Sequence, residues 1–213
     1  REKFKKVNKI IDKEWTFSYI IVMPKKDNPK LAAIKQAVLD LTLEEGYQNL
    51  SMSKIAKKAG VSPATIYLTY TSKEDMLTSL YLEARENLDS QMHDLGETQA
   101  DIQTQIKKMY ENYIRVLLER PQQSLFMNVV NNNPTLINAD VYDKMIRQDN
   151  GVRELLKKGQ QQGVIKQQDV ELLIAFTFFP LDDLLEMNYV AGRTTTDDMI
   201  KQMVDMCWSA IKA

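Results

Sequence analysis

Between Leu50 and Met76 helix-start and helix-stop signals follow one another so closely that only short helices joined by a tight turn satisfy them. Ser51 offers a side-chain oxygen to the first free amides of a helix carrying Ile55, Ala56 and Ala59. Ile55 and Ala59 share one face, and Ala56 is small enough to let a second helix cross closely. Gly60 then supplies the left-handed residue that a sharp stop requires, with Val61 plugging the corner. Ser62 before Pro63 is a cap followed by a residue whose missing amide costs nothing at a helix start. Ile66 and Tyr70, four apart, face inward. That leaves Pro63, Ala64, Thr65, Tyr67, Leu68 and Thr69 on the outer face or its flanks, a surface that is uncharged and small at its leading end. Ser72 caps a longer helix, Asp75 is expected to complete a capping box, and Lys73 is expected to point outward beside the helix start, where a phosphate would sit well.

Two short helices crossing steeply around a glycine turn form a helix-turn-helix, whose second helix can enter a major groove roughly 12 Å wide. A helix of about eight residues, at about 1.5 Å each, fits that width. A tight corner in an ordinary bundle would use the same glycine, but would not need this succession of caps. The run Gly60-Val61-Ser62-Pro63-Ala64-Thr65-Ile66-Tyr67, then Tyr70-Thr71-Ser72-Lys73-Glu74-Asp75-Met76-Leu77, preceded by Ser51-Met52-Ser53-Lys54-Ile55-Ala56, resembles the DNA-binding signature of the TetR family of transcriptional regulators. The resemblance covers about a quarter of the chain, from Leu31 to Leu80. It implies a homodimer reading a palindromic operator in double-stranded DNA, and a larger carboxy-terminal domain that senses a small-molecule effector. By position, it implies a phosphate contact for Ser51, a groove-side place for Ser53, and recognition-helix contacts for Ser62, Pro63, Ala64, Thr65 and Tyr67. Lys73 matches the lysine that opens the following helix, and Met52, Leu68 and Thr69 complete the expected DNA-facing set. Ala64 stands where the family usually has glycine, Thr69 where it usually has tyrosine or histidine, and Tyr70 replaces a buried phenylalanine.

The rest of the chain reads as helix. Only 7 glycines and 6 prolines interrupt 213 residues rich in Leu, Ile, Met and Glu, enough length for a substantial core. The expected fold is all-α, with an amino-terminal three-helix DNA-binding domain over residues 24–76 and a larger regulatory and dimerisation bundle over residues 77–213. Residues 1–23 form a basic and apolar extension that either tracks the DNA backbone or is a start-site artefact, with Met23-Pro24-Lys25-Lys26 the expected natural start. Net charge is −1, but it is unevenly spread: 14 basic and 7 acidic side chains up to Lys73, then 14 and 22. A basic head on an acidic body is what a chain needs if only its head meets phosphates.

Enzyme chemistry has little to stand on. Cys207, the single cysteine, sits among Met203, Val204, Met206 and Trp208 and reads as a buried thiol in a reducing, cytoplasmic compartment. His93, the single histidine, reads as solvated at a helix end, and neither it nor any glycine-rich loop suggests a metal, a cofactor or a nucleophilic triad. No apolar run with the acidic pattern of this chain reads as a membrane span.

Leu31, Ile34, Val38 and Leu41 make the stripe of a first helix behind the helix-turn-helix. Leu77, Leu80, Tyr81, Ala84 and Leu88 continue the helix capped by Ser72 into the next domain. After a break near Gly96 come a helix from Ile102 to before Pro121, a shorter one through Leu125, Phe126, Val129 and Val130, and a turn at Asn131 to Pro134. A long helix follows from Tyr142, with Gly159 or Gly163 near its end. Residues 169–179 are apolar almost all round, which implies burial on two sides; Pro180 is expected to kink or break that helix, and a last helix starts at Thr195 or Thr196. The resemblance implies pairing of two copies through these last two long helices, about 169–189 and 196–211. Tyr110, Tyr113, Phe126, Met127, Phe176 and Phe179 are the candidate lining of an effector cavity, expected to be mostly apolar. Two roles fit: a repressor released from its operator by such a ligand, or a same-fold co-activator or adaptor answering to a protein partner without a pocket.

Overall fold

The structure, a computed structural model, describes residues 28–95, 100–148 and 150–213. The expectations for residues 1–23 and for a break at Gly96 therefore lie outside the described residues. Among the described residues the architecture is all-α, with ten α-helices, two 3-10 turns and one isolated backbone bridge between Ile165 and Lys212. They divide into two compact units between Ser79 and Leu80.

The first unit opens with α1 (Pro29–Glu45), capped by Asn28, whose side chain accepts from the Lys30 amide at 3.0 Å. Its predicted stripe of Leu31, Ile34, Val38 and Leu41 is buried. A 3-10 turn at Tyr47–Asn49 leads to α2 (Met52–Ala59) and α3 (Pro63–Tyr67). α1 packs on α2 and α2 on α3, around Ile55, Ile66, Tyr70 and Met76. α4 (Lys73–Met92) starts in this unit and ends in the other.

The second unit is arranged around α5 (Ile102–Glu119), which Asp101 caps by accepting from the Thr104 amide at 3.0 Å. After it come α6 (Pro121–Asn132), α7 (Ala139–Gln148), α8 (Asn150–Gln161), α9 (Val170–Val190) and α10 (Asp197–Ile211). α5 packs against α6, α8, α9 and α10, burying Ile106, Met109, Tyr110 and Ile114 completely. The predicted helix from Tyr142 is described as α7 and α8, with residue 149 outside the description. Of its two possible stops, Gly163 is the one with a left-handed backbone, φ 68°. Gly159 lies within α8, pressed against Ile106 and Ile165.

One expectation is narrowed and one corrected. Of the two outcomes open at Pro180 a break does not occur: α9 runs from Val170 to Val190 with the proline inside it. Proline forfeits one helical hydrogen bond, but Thr177, Phe178, Leu181 and Leu185 are buried on both sides of it, so packing against α5, α6 and α10 holds the two halves in one helix. His93 is half-buried rather than solvated. Its Nδ1 lies 2.9 Å from the Asp89 carbonyl oxygen, and its other ring edge fills the space where a β-carbon on Gly151 would sit. Cys207 is buried as expected, its Sγ 3.7 Å from the Thr177 carbonyl, and burial pushes its thiol up to about 11.

Candidate nucleic-acid interface

Ser51 takes an extended backbone and accepts from the Lys54 amide at 3.2 Å, fixing the start of α2. Gly60 ends it at φ 67°, ψ 29°, and the Val61 amide then donates back to the Ala56 carbonyl at 3.0 Å. Ser62 repeats the device: its Oγ accepts from the Thr65 amide at 3.2 Å and lies 3.0 Å from Thr65 Oγ1. α3 spans only five residues, but the Leu68 amide donates to Ala64 and the Tyr70 amide to Ile66, which carries the coil a further turn. Ile66 and Tyr70 point into the core. Outward stand Pro63, Ala64, Tyr67 at 55 % exposure and Leu68 at 87 %. Ser51, Ser53 and Ser62 are also exposed, while Met52, Thr65 and Thr69 are half-buried at the flanks.

The entry to α4 differs from the sequence reading in two ways. Ser72 caps it, accepting from the Asp75 amide at 3.0 Å, but Asp75 does not close a capping box; its carboxylate accepts from the Thr71 amide at 2.8 Å and the Thr71 hydroxyl at 3.0 Å. Lys73 does not simply point outward. Its Nζ donates to the Leu50 carbonyl at 3.1 Å, tying the start of α4 to the residue before the Ser51 cap. On α2, Lys54 pairs with Glu45 at 2.6 Å and Lys58 with Glu44 at 2.7 Å, and the latter bond raises the already high Lys58 pKa. No periodic signal announced these two pairs, which join residues in different helices.

In the second unit a cleft of about 460 Å³ opens between α4, α6, α7, α8 and α9. Its walls are polar as well as aromatic. Tyr81 donates to the Asn131 side-chain oxygen at 2.7 Å and Tyr142 to the Asn131 carbonyl at 3.2 Å, with the two rings 6.2 Å apart. Arg153 grips Glu171 through Nε at 2.6 Å, and Arg85 and Asp182 face the same space. Asp182 accepts from the Tyr113 hydroxyl at 2.5 Å, and its carboxyl is pushed up to about 6, chiefly by burial.

Of the six candidate effector contacts, only Phe179 lines this cleft. Tyr110, Tyr113, Phe126 and Met127 are buried in the core, where Phe178 packs against both tyrosines, its ring 5.3 Å from Tyr110 and tilted to it, and 4.8 Å from Tyr113 and edge-on. Burial raises the Tyr110 phenol well above its ordinary value. Phe176 projects into solvent at 74 % exposure and Phe179 is 62 % exposed. With Leu172, Met187 and Val190 they form one stripe along α9, all exposed. Tyr81, Arg85 and Tyr142, which line the cleft, carried no sequence signal as a group because they come from α4 and α7, far apart in the chain.

A capped, glycine-turned pair of short helices with an uncharged outer ridge, followed by a separate helical bundle, defines a helix-turn-helix regulator. Residues 35–80 match the family described as bacterial regulatory proteins, tetR family, and residues 101–212 match the Tetracyclin repressor-like C-terminal domain. The chain belongs to the TetR family of transcriptional regulators, whose members are regulators rather than enzymes. It is 26 % identical over 200 residues to the uncharacterized HTH-type transcriptional regulator YdeS of Bacillus subtilis, a match that covers 88 % of this chain and 92 % of that protein. It is 46 % identical over 59 residues to the fatty acid metabolism regulator protein of the same organism, covering 28 % of this chain and 30 % of that protein's length. A TetR family transcription regulator from Marinobacter aquaeolei VT8 shares the fold, with a TM-score of 0.76 at 24 % identity over 89 % of this chain and 99 % of that one. Among the described residues, no helix is long and apolar enough to cross a membrane.

Proposed function

We propose that the chain is a cytoplasmic repressor that acts as a homodimer on a palindromic operator and is released by an effector bound in the cleft of the second unit. The observation that carries the reading is the ridge of α3, which stands in solvent on a helix fixed by the Ser62 cap and the Gly60 turn. Ser62, Pro63, Ala64, Thr65, Tyr67, Leu68 and Thr69 meet the major groove; Ser51, Met52 and Ser53 flank it, and Lys73 supplies charge near a phosphate. Two-fold pairing follows from the exposed α9 stripe, which two copies cover by laying α9 and α10 against their counterparts. Such a pair spaces its reading helices about 34 Å apart, one duplex turn.

The cleft supports an effector over a pocketless adaptor. Its lining changes the expected chemistry, however: tyrosines, asparagines, two arginines and three carboxylates suit a ligand with several hydrogen-bonding groups rather than a purely lipophilic one. Because Tyr81 and Arg85 belong to α4, a ligand touching them bears directly on the helix that begins at Lys73. Full release needs on the order of 5 kcal/mol of differential affinity between the two poses.

The test is binding of the full chain to a fluorescent duplex taken from its own promoter region. Tyr67→Ala is expected to lose affinity at unchanged thermal stability. Lys73→Ala is expected to lose affinity and flatten the salt dependence by about one phosphate contact. Unchanged affinity in both variants, or a chain that is monomeric on and off DNA, refutes the proposal.

A further inference from the structure

The ridge that α3 presents has an unusual chemistry for a surface that distinguishes bases. From Val61 to Ser72 the chain contains no Arg, Lys, Asn, Gln, Asp or Glu. Those are the side chains that make forked or paired hydrogen bonds to guanine, adenine and cytosine in the major groove. Several of the hydroxyls nearby are already engaged: Ser62 and Thr65 with each other, Thr71 with the Asp75 carboxylate, and Ser72 with the Asp75 amide. What remains facing solvent on the ridge itself is Pro63, Ala64, Tyr67 and Leu68. These lie one, four and five positions from Pro63, so they form one continuous band on the coil. Leu68 is the most exposed large apolar side chain of the described residues, and it sits one turn beyond Ala64, whose carbonyl accepts from its amide at 3.1 Å.

The major groove offers one apolar feature, the C5 methyl of thymine. We propose that α3 reads its operator chiefly through thymine methyl groups, with Leu68 and Ala64 as the specificity-determining residues and the hydroxyls of Tyr67 and Thr69 supplying the polar contacts beside them. This rests on α3 being the groove-entering helix. Each half-site then carries thymine at two or more neighbouring positions under the ridge, and guanine is not selected there, because nothing on α3 forks to its O6 and N7 edge. The contact is apolar, so its contribution is insensitive to salt, unlike the phosphate contacts around it.

The test starts with selection of duplexes bound by the full chain from a random-sequence pool. The enriched half-sites are expected to hold T·A pairs at the central positions. The best duplex is then made with deoxyuridine in place of thymidine, one position at a time, which deletes the methyl and leaves the base pairing and groove hydrogen bonds unchanged. Each contacted methyl is expected to cost roughly three- to five-fold in affinity, equally at low and high salt. In Leu68→Ala the penalty at one position shrinks towards none, and Leu68→Met restores it; because Leu68 is exposed, neither change disturbs the core. Half-sites dominated by G·C under the ridge, or a uracil duplex that binds as tightly as the thymine one, overturn the proposal. So does a uracil penalty that Leu68→Ala leaves intact. A chain that enriches no sequence at all fails earlier, because the DNA-reading role of α3 is then lost together with the methyl reading.

Discussion

Replacing Asp182 by asparagine tests the electrostatics of the second unit. Burial raises this carboxyl from 3.8 to about 6; the Tyr113 hydrogen bond and the Arg85 charge oppose the rise, and Asp183 and Glu186 on the same helix add to it. The folded chain thus keeps the proton to higher pH than the unfolded chain does. Folding takes up protons between about pH 4 and 6, so the native state loses stability as pH rises through that window. At roughly 1.4 kcal/mol per pH unit, the gap between 3.8 and about 6 amounts to at most about 3 kcal/mol. Asparagine keeps an oxygen to accept from Tyr113 and carries no charge. Asp182→Asn is therefore expected to match the parent near pH 4, to draw ahead between pH 4 and 6, and to lead by about 2–3 kcal/mol above pH 7. Urea unfolding followed by far-ultraviolet circular dichroism from pH 4 to 8, at one fixed protein concentration, reads this difference. A lead that does not grow with pH, or an asparagine variant less stable than the parent at pH 8, refutes the reasoning.

Phe176→Glu places a charge in the middle of the α9 stripe and is expected to shift the chain to monomer in light scattering at micromolar concentration, with helicity retained because that ring is exposed in the single chain. Gly60→Ala meets no neighbouring atom within 4 Å, so its whole cost is the left-handed backbone, about 1–2 kcal/mol in thermal or urea unfolding; an unchanged midpoint would argue against the turn. Cys207, buried and with its thiol pushed up to about 11, is expected to react with a disulfide reagent at neutral pH only as fast as the second unit opens, and at the rate of a free thiol in denaturant.

The helix-turn-helix was legible because every signal in it is local. Ser51, Gly60, Ser62 and Ser72 act on amides within three or four residues, and the inward pair Ile66 and Tyr70 needs only the helical period. The stripe of α1, Leu31, Ile34, Val38 and Leu41, was legible for the same reason. At Pro180 the sequence left a kink and a break both open, because propensity sees one lost hydrogen bond, whereas the buried side chains around it decide that the helix continues. The hydrogen bond from Lys73 was not legible because its partner, the Leu50 carbonyl, lies 23 residues back. The cleft was hardest: aromatic residues drew the candidates into the core, while the polar lining comes from five helices that only tertiary packing assembles.

The partnered cations of the first unit bear on how this protein meets ordinary chromosome. Lys54 and Lys58 pair with surface carboxylates, so part of their charge is offset before any duplex arrives, and Lys73 shares its donors with a carbonyl. Visits to random sequence are expected to be brief, and selectivity to arise from how quickly the wrong stretch is abandoned.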